Sequence, residues 1–386
     1  MIKKPKHNAK SIHNKNNYTL STLAAIAVIL ALALLTPSLT GLLIDTSLTL
    51  PTSITYCLSP TAPAVGLIDR NPNFGLSFSN DSSIIETVYA LDKNNRKLYY
   101  ISLPGTSWNS KTISTGSELY TLEVPLKPPT FAAVGTSNSI VYASADAPFK
   151  FVRKSDDSAL PGEFIVSDLQ ATDDESGNAI FFDQKNMLFY SLTFIRSAGI
   201  PILAINKQWS LSGRPIANKG YSMSVSGTNL LLLTADSKII HYSLSTPGVS
   251  NGTLRASRLF LGPTITAVLA PKSGSSFYFG TSNGKLYRQI YTSSRLALAP
   301  VQVAGFSGEI KSIQQTDTNT LYVLTNTTIH RYSILDNAAT RAYALNPSEL
   351  NYFIQLITGP NKEVFVSARL KSSSKSQLFN VTNTCD

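Results

Sequence analysis

The sequence predicts an all-β protein: a β-propeller with seven four-stranded blades, preceded by one N-terminal transmembrane helix. Three observations lead to this prediction. A β-rich phrase recurs after residue 70, its copies are separated by intervals typical of propeller blades, and the chain begins with a basic tail followed by an uncharged apolar segment. Because repeat folds grow as one unit, a length of 386 residues does not require several domains.

The copies of the phrase share one pattern: a short apolar strand, a turn rich in Gly, Asn, Asp or Ser, an aromatic-bearing strand, a second turn, and a third strand with an aromatic residue. The copies span residues 74–103, 131–154, 164–194, 221–245, 265–292, 310–335 and 353–382. Less regular stretches between them leave room for a fourth, outer strand. We therefore expect four strands in each unit.

The spacing of the copies predicts the architecture. If the third-strand aromatic is used as a marker, the markers are Tyr100, Phe151, Tyr190, Tyr242, Tyr287, Tyr332 and Phe379, with intervals between 39 and 52 residues. Intervals of about 40–50 residues are typical of propeller blades. Six or eight blades, a right-handed β-helix and tandem β-sandwiches remain alternatives, although no linker rich in Pro, Gly or Ser separates the copies as sandwiches would need.

One copy resembles a known repeat. The segment FYFGTSNGKLYRQI, with its core at Gly280–Tyr287, is similar to the repeat of the pyrroloquinoline-quinone (PQQ) type propellers, in which a G-T-x-x-G turn precedes a K-L-Y strand. The other six copies are looser, and Trp108 and Trp209 do not occupy the place of the usual terminal Trp. The resemblance implies the fold but no cofactor, because many members of that superfamily bind no quinone and act as scaffolds, for example in outer-membrane protein assembly.

The N-terminal segment predicts a membrane anchor. Leu23–Ile44 contains 22 residues without a charge, and a helix of that length spans about 33 Å, enough for a hydrocarbon core of about 30 Å. We expect residues 1–17 to form a basic cytoplasmic tail, 18–44 a signal-anchor helix, 45–53 a short linker, and 54–386 an extracytoplasmic propeller. Lysines on the N-terminal side set this orientation.

Two alternatives to the anchor stay open. The most apolar stretch, Leu23–Leu35, has the length of a signal-peptide core, and cleavage after it would give a secreted protein. A buried core helix is the other alternative. The segment is followed by no A-x-A cleavage site, which favours the anchor and therefore membrane lipid as one partner.

The distribution of charge argues against nucleic acid as a partner. Half of the net charge of +10 comes from Lys3, Lys4, Lys6, Lys10 and Lys15, which the topology of an anchored protein explains. The remaining positive charges form no dense block of the kind that binds phosphates. A protein partner on a face or on the rim of the propeller is the better expectation.

The two cysteines predict a disulfide that locks the ring. Cys57 and Cys385 lie at the two ends of the repeat array, and the oxidising side of a membrane permits a disulfide. We expect a closing strand at Ile54–Leu58, next to Leu378–Thr382. Two unrelated thiols are the alternative.

The sequence predicts no catalytic, metal or cofactor site. His241 and His330 occupy matching positions in two copies, and the acidic run Asp173–Glu175 lacks the alternation of a calcium loop. We therefore expect a binding or scaffold module in protein–protein or cell-envelope assembly. The alternative is an enzyme, a hydrolase or quinone-type oxidoreductase, whose site lies at the central channel and would show clustered carboxylates or histidines there.

Overall fold

The structure is a computed structural model. It describes residues 53–79, 84–114, 118–124, 132–137, 139–143, 150–152, 166–171, 178–197, 200–210, 221–244, 252–270, 275–291, 299–371 and 374–382. Within these residues, 29 strands form seven sheets. In five sheets the strand order follows the chain and neighbouring strands pair as antiparallel meanders, and each of the other two sheets adds one strand from the N-terminal end to such a meander.

The first three blades use strands β3 to β14. Blade 1 contains β3 (Asn73–Phe78), β4 (Ile85–Asp92), β5 (Lys97–Ser102) and β6 (Asn109–Thr112). Blade 2 contains β7 (Leu119–Glu123), β8 (Ala132–Thr136), β9 (Ile140–Ala143) and β10 (Lys150–Val152). Blade 3 contains β11 (Val166–Ala171), β12 (Asn178–Asp183), β13 (Leu188–Ser197) and β14 (Ile200–Ser210).

The other four blades use β15 to β29 and the two strands at the N-terminal end. Blade 4 contains β15 (Tyr221–Ser226), β16 (Asn229–Thr234), β17 (Lys238–Leu244) and β18 (Gly252–Leu259). Blade 5 contains β19 (Ile265–Leu269), β20 (Ser276–Thr281), β21 (Lys285–Ile290) and β22 (Val301–Gly305). Blade 6 contains β23 (Ser312–Gln315), β24 (Thr320–Leu324), β25 (Ile329–Ser333), β26 (Ala338–Tyr343) and β1 (Ile54–Thr55). Blade 7 contains β27 (Leu350–Thr358), β28 (Val364–Leu370), β29 (Ser376–Asn380) and β2 (Ser59–Pro60).

The predicted all-β propeller with seven blades is confirmed. The blades bury one another's faces, as the apolar alternation of the strands predicted. Between blades 3 and 4, for example, Phe182 and Phe189 pack with Met223, Leu230 and Leu232 in one buried cluster. Such contacts between sheets explain why the central positions of the second strands are mostly apolar, as in β16 and β24.

The glycines and the threonine of the G-T-x-x-G phrase have separate roles. A Cβ on Gly280 would lie 2.3 Å from Cγ2 of Ile310 in blade 6, so close packing between blades requires a glycine there. The Thr281 Oγ1 accepts a hydrogen bond from the Lys285 N–H at 3.1 Å and donates to the Lys285 carbonyl at 3.0 Å. Gly284 completes the turn with a φ of +80°, in the region that favours glycine.

Side chains at the corresponding position stabilise the same turn in other blades, although the sequences of those copies differ from the G-T-x-x-G pattern. A threonine at the end of the second strand bonds across the turn in blades 2, 4, 5 and 6, at Thr136, Thr234, Thr281 and Thr325. Aspartates accept turn N–H groups at the corresponding place in blades 1 and 3, at Asp92 and Asp183. Threonine and aspartate therefore stabilise the same turn, and a search for identical residues would miss this equivalence.

The predicted bounds of the second copy of the repeat are displaced by one strand. The structure places Phe151 in β10, the fourth strand of blade 2, and Tyr142 in β9, the third strand. The copy at 131–154 thus begins at the second strand, because the first strand, β7, lies before it at Leu119–Glu123. With Tyr142 as the marker, the intervals narrow to between 42 and 52 residues.

The ring is closed by a strand that directly follows the segment predicted for that role. Ile54–Thr55 does not pair with the last strand; it runs parallel to β26 of blade 6. The pairing with β29 begins at Ser59 and Pro60, opposite Asn380 and Phe379, and the bridge between Val65 and Ser376 extends it. The prediction that Ile54–Leu58 pairs with the last strand was therefore wrong, because residues 56–58 cross from blade 6 to blade 7 before the pairing with β29 begins.

The predicted tail, transmembrane helix and most of the linker, residues 1–52, lie outside the described residues. Within the part of the chain that the structure describes, no helix is long and apolar enough to cross a membrane. Cys385 and the run Asp173–Glu175 also lie outside the described residues.

Candidate functional site

The first candidate site is the central channel. The first strands of all seven blades line a cavity of about 420 Å³. Among the described residues, its lining is rich in hydroxyl and amide side chains, and its ionisable side chains are Glu123, Asp168 and Lys311. Such a channel is the usual place for a ligand in a ring of this kind, so the partners of its polar groups decide what it can do.

Many of these polar groups bind the next blade. A side chain on an inner strand bonds to the backbone of the following blade at five consecutive interfaces, from blade 3 round to blade 1. The pairs are Asp168 with the Met223 N–H at 2.6 Å, Ser224 with the Ala270 N–H at 2.8 Å, Thr266 with the Ile310 carbonyl at 2.5 Å, Lys311 with the Phe353 carbonyl at 3.3 Å, and Gln355 with both backbone groups of Phe74 at 3.0 and 3.3 Å. The channel wall is thus a belt of bonds between blades.

Asp168 is the acidic member of this belt, and its pKa is shifted. Its carboxylate accepts from the backbone of Met223 and Leu169 and from the Gln170 amide, which uses much of its hydrogen-bonding capacity. Burial nevertheless raises the pKa of Asp168 to about 6, because desolvation of the charged form outweighs these three bonds.

Lys311 lies on the wall of the channel. Its ammonium group donates to the Phe353 carbonyl and lies 5.0 Å from the centre of the Tyr352 ring. Burial lowers its pKa, and the charge of Glu309 opposes that shift. The contacts hold the lysine against blade 7 and stabilise the wall.

The two histidines of the repeat array lie between blades. The His241 ring contacts Tyr291 of blade 5 at 4.5 Å between centroids, and the His330 ring lies 4.5 Å from Phe306. Burial lowers the pKa of each to about 4, aided for His241 by the charge of Arg255. Both histidines lie within third strands, His241 in β17 and His330 in β25. The described residues contain no group of three His, Cys, Asp or Glu side chains able to hold a metal.

The second candidate site is an apolar groove between blades 7 and 1. It has a volume of about 370 Å³, and six apolar residues line it: Phe78, Ile84, Ile85, Leu103, Pro104 and Phe365. Glu363 and Asn380 supply its polar lining. Sequence reasoning missed this groove because its walls come from the two ends of the chain, which only ring closure brings together.

Cys57 lies close to the end of the last strand. It is half-buried and packs against the apolar cluster that contains Val381, four residues before Cys385. Cys385 is outside the described residues, so the predicted disulfide stays a prediction.

Taken together, the architecture defines the chain as a seven-bladed β-propeller whose last blade is completed by β2, a strand from the N-terminal end. It is similar in structure to virginiamycin B lyase from Staphylococcus aureus, known from a crystal structure of a catalytically inactive variant with quinupristin. The TM-score is 0.53 and the identity 11%, with 83% of this chain and 98% of the lyase chain covered. No family model matches the sequence, and no curated protein matches it. At this identity the likeness shows the fold alone, and the resemblance to PQQ-type repeats stays unconfirmed.

Proposed function

We propose that the protein is a membrane-anchored, extracytoplasmic propeller that acts as a binding or scaffold module in protein–protein or cell-envelope assembly. The observation that carries this proposal is that side chains lining the channel form hydrogen bonds between blades. Five of them bond to neighbouring blades, so the belt supports rigidity. A rigid disc suits the presentation of its rim and loops to a partner.

The attachment of the N-terminal end supports anchoring there. From residue 54 onward the chain pairs with blade 6 through β1 and with blade 7 through β2. It then reaches blade 1, where the Ile68 and Asp69 N–H groups donate to the Asp92 carboxylate. A load applied through a membrane segment at 18–44 would therefore be shared by three blades.

A disulfide between Cys57 and Cys385 belongs to this proposal. Cys57 packs against the buried cluster that contains Phe379 and Val381, and the proposed compartment is oxidising. Closure of a loop of more than 300 residues could stabilise the fold by up to about 5 kcal/mol in the loop-entropy description.

An enzyme with its site at the channel is the second candidate. The raised pKa of Asp168 favours it, because a carboxyl that titrates near pH 6 suits general acid–base chemistry. Against it, the carboxylate oxygens already accept three hydrogen bonds within the belt. The lyase that shares the fold is an enzyme, but a likeness of 11% identity transfers no activity.

Purification of the full-length chain from native membranes in mild detergent tests the proposal. A binding module should co-purify with a protein partner at a fixed ratio, measured by mass spectrometry and by light scattering of the complex. A parallel purification from cells that lack the chain removes background proteins. Recovery of the protein alone, together with turnover that Asp168→Asn abolishes, would favour the enzyme instead.

A further inference from the structure

We infer that the groove between blades 7 and 1 is the partner site and that it takes a short peptide segment with one apolar side chain next to a Lys or Arg. This inference rests on the proposed binding function and names its site. The groove has a volume of about 370 Å³, at the lower end of the range for small-ligand pockets. It therefore suits one or two side chains better than a large ligand.

The floor and the lip of the groove are fixed by the fold. Phe78 ends β3 of blade 1, Phe365 lies at the start of β28 of blade 7, and both are almost fully buried. Ile84 stands at the lip with 62% of its surface exposed. An exposed isoleucine next to a buried aromatic floor is a place where an apolar side chain gains by leaving water.

The carboxylate of Glu363 gives the groove its charge. Its Oε2 accepts from the Asn361 N–H at 3.0 Å, and its backbone carbonyl accepts from the Gly359 N–H at 2.8 Å, so the turn before β28 holds the group in place. Within the described part of the chain, Glu363 forms no ion pair and its Oε1 accepts no hydrogen bond. A half-buried acid on an apolar wall leaves a charge that a partner can complement.

These two features together define the partner's chemistry. An apolar side chain fills the groove, and a cation one or two positions away on the same segment reaches Glu363. A lysine or arginine also presents an apolar stem to the wall, so both kinds of contact come from adjacent residues. The anchor-plus-rim arrangement is that of a small protein–peptide contact.

Peptide binding to the full-length chain in nanodiscs tests this assignment. The probes are fluorescein-labelled peptides of Gly and Ser with a central Leu and with Lys, Gln or Glu two positions later. Fluorescence anisotropy should rank them Lys, Gln, Glu, with steps of about threefold in Kd, as expected for a partly exposed pair. In Glu363→Lys the order should reverse, and in Ile84→Asp all three peptides should lose affinity.

Two matched variants separate the groove from general surface effects. Glu349→Lys makes the same charge change at the opposite end of blade 7, where Glu349 is exposed before β27. Leu335→Asp makes the same apolar-to-acid change on blade 6, where Leu335 is 81% exposed. Both should bind the peptides as the unmodified chain does, and unchanged thermal melts would show that every variant folds.

Each remaining outcome is decisive. An unchanged peptide order in Glu363→Lys overturns the inference, as does binding to vesicles of anionic lipid but to no peptide. If no peptide binds while a partner co-purifies at a fixed ratio, the scaffold function stands and the groove assignment fails. If the peptides bind as expected while the native purification yields the protein alone, the assignment stands and the proposed function fails.

Discussion

Replacement of His241 and His330 by glutamine should make the fold much less sensitive to acid. Each imidazole is neutral in the fold, because burial lowers its pKa from 6.5 to about 4. The Nδ1 atoms of both rings are buried, with no hydrogen-bond partner among the described residues, so protonation would bury an uncompensated charge. Protonation would therefore destabilise two interfaces between blades, the one between blades 4 and 5 and the one between blades 5 and 6.

The size of the effect follows from proton linkage. Below pH 6.5 the unfolded chain binds protons at these histidines and the folded chain does not, so the free energy of unfolding falls as pH drops toward 4. Since one pKa unit corresponds to about 1.4 kcal/mol, each histidine should remove about 3 kcal/mol between pH 7 and pH 4. Asp168 acts in the opposite direction: its folded pKa of about 6 exceeds the ordinary 3.8, so its protonation restores stability, by about 2 kcal/mol over the same range. The net loss from these three groups is about 4 kcal/mol.

Urea unfolding followed by tryptophan fluorescence at pH 7, 5.5 and 4 measures this loss. The doubly substituted chain should be less stable than the unmodified one at pH 7 but lose far less stability on acidification. His7→Gln with His13→Gln, in the N-terminal tail, is the matched control and should keep the full acid sensitivity. Equal pH dependence in the double variant and the unmodified chain would refute the burial argument.

Three further predictions concern the ring and its closure. Gln355→Leu removes both bonds to the blade 1 backbone and should lower the free energy of unfolding by about 2–4 kcal/mol in urea, whereas Gln314→Leu on the same channel wall should cost less than about 1 kcal/mol. Gly280→Ala would place a methyl group 2.3 Å from a side chain of blade 6 and should cost about 2 kcal/mol or more, while Gly305→Ala, with its nearest atom at 3.9 Å, should be nearly neutral; equal melting temperatures would contradict the packing argument. Cys57→Ser should lower the melting temperature of the oxidised chain to that of the reduced one, and a reductant that leaves the unmodified chain unaffected would exclude the disulfide.

The number of blades was predictable because period and strand alternation are properties of the chain itself. Thr281 and Gly284 made one turn recognisable, and the same turn chemistry recurs in blades where an aspartate replaces the threonine. The frame of blade 2 was not predictable from the aromatic marker, because this blade carries an aromatic residue in its third strand, Tyr142, and another in its fourth, Phe151. An aromatic residue therefore identifies the third strand of a blade only when the turn residues before it match those of the other blades.

The candidate sites were less predictable than the fold. The channel bonds, such as Gln355 to Phe74, join residues at opposite ends of the chain through backbone groups that leave no mark in the sequence. The groove likewise depends on ring closure, since Ile84 and Glu363 become neighbours only when blade 7 meets blade 1. Cys57 lies between β1 and β2, the two N-terminal strands that join blades 6 and 7, while the disulfide predicted for it stays a prediction.

The proposed extracytoplasmic location of the propeller is tested most directly by measuring which of its residues an external reagent reaches. Asn326 is exposed in the turn between β24 and β25, and a thiol introduced there by Asn326→Cys would be accessible to a membrane-impermeant maleimide. In intact cells this thiol should be labelled without permeabilisation, whereas one introduced by Lys10→Cys should be labelled only after it. The opposite pattern, or protection of Asn326→Cys until the membrane is opened, would contradict an extracytoplasmic propeller.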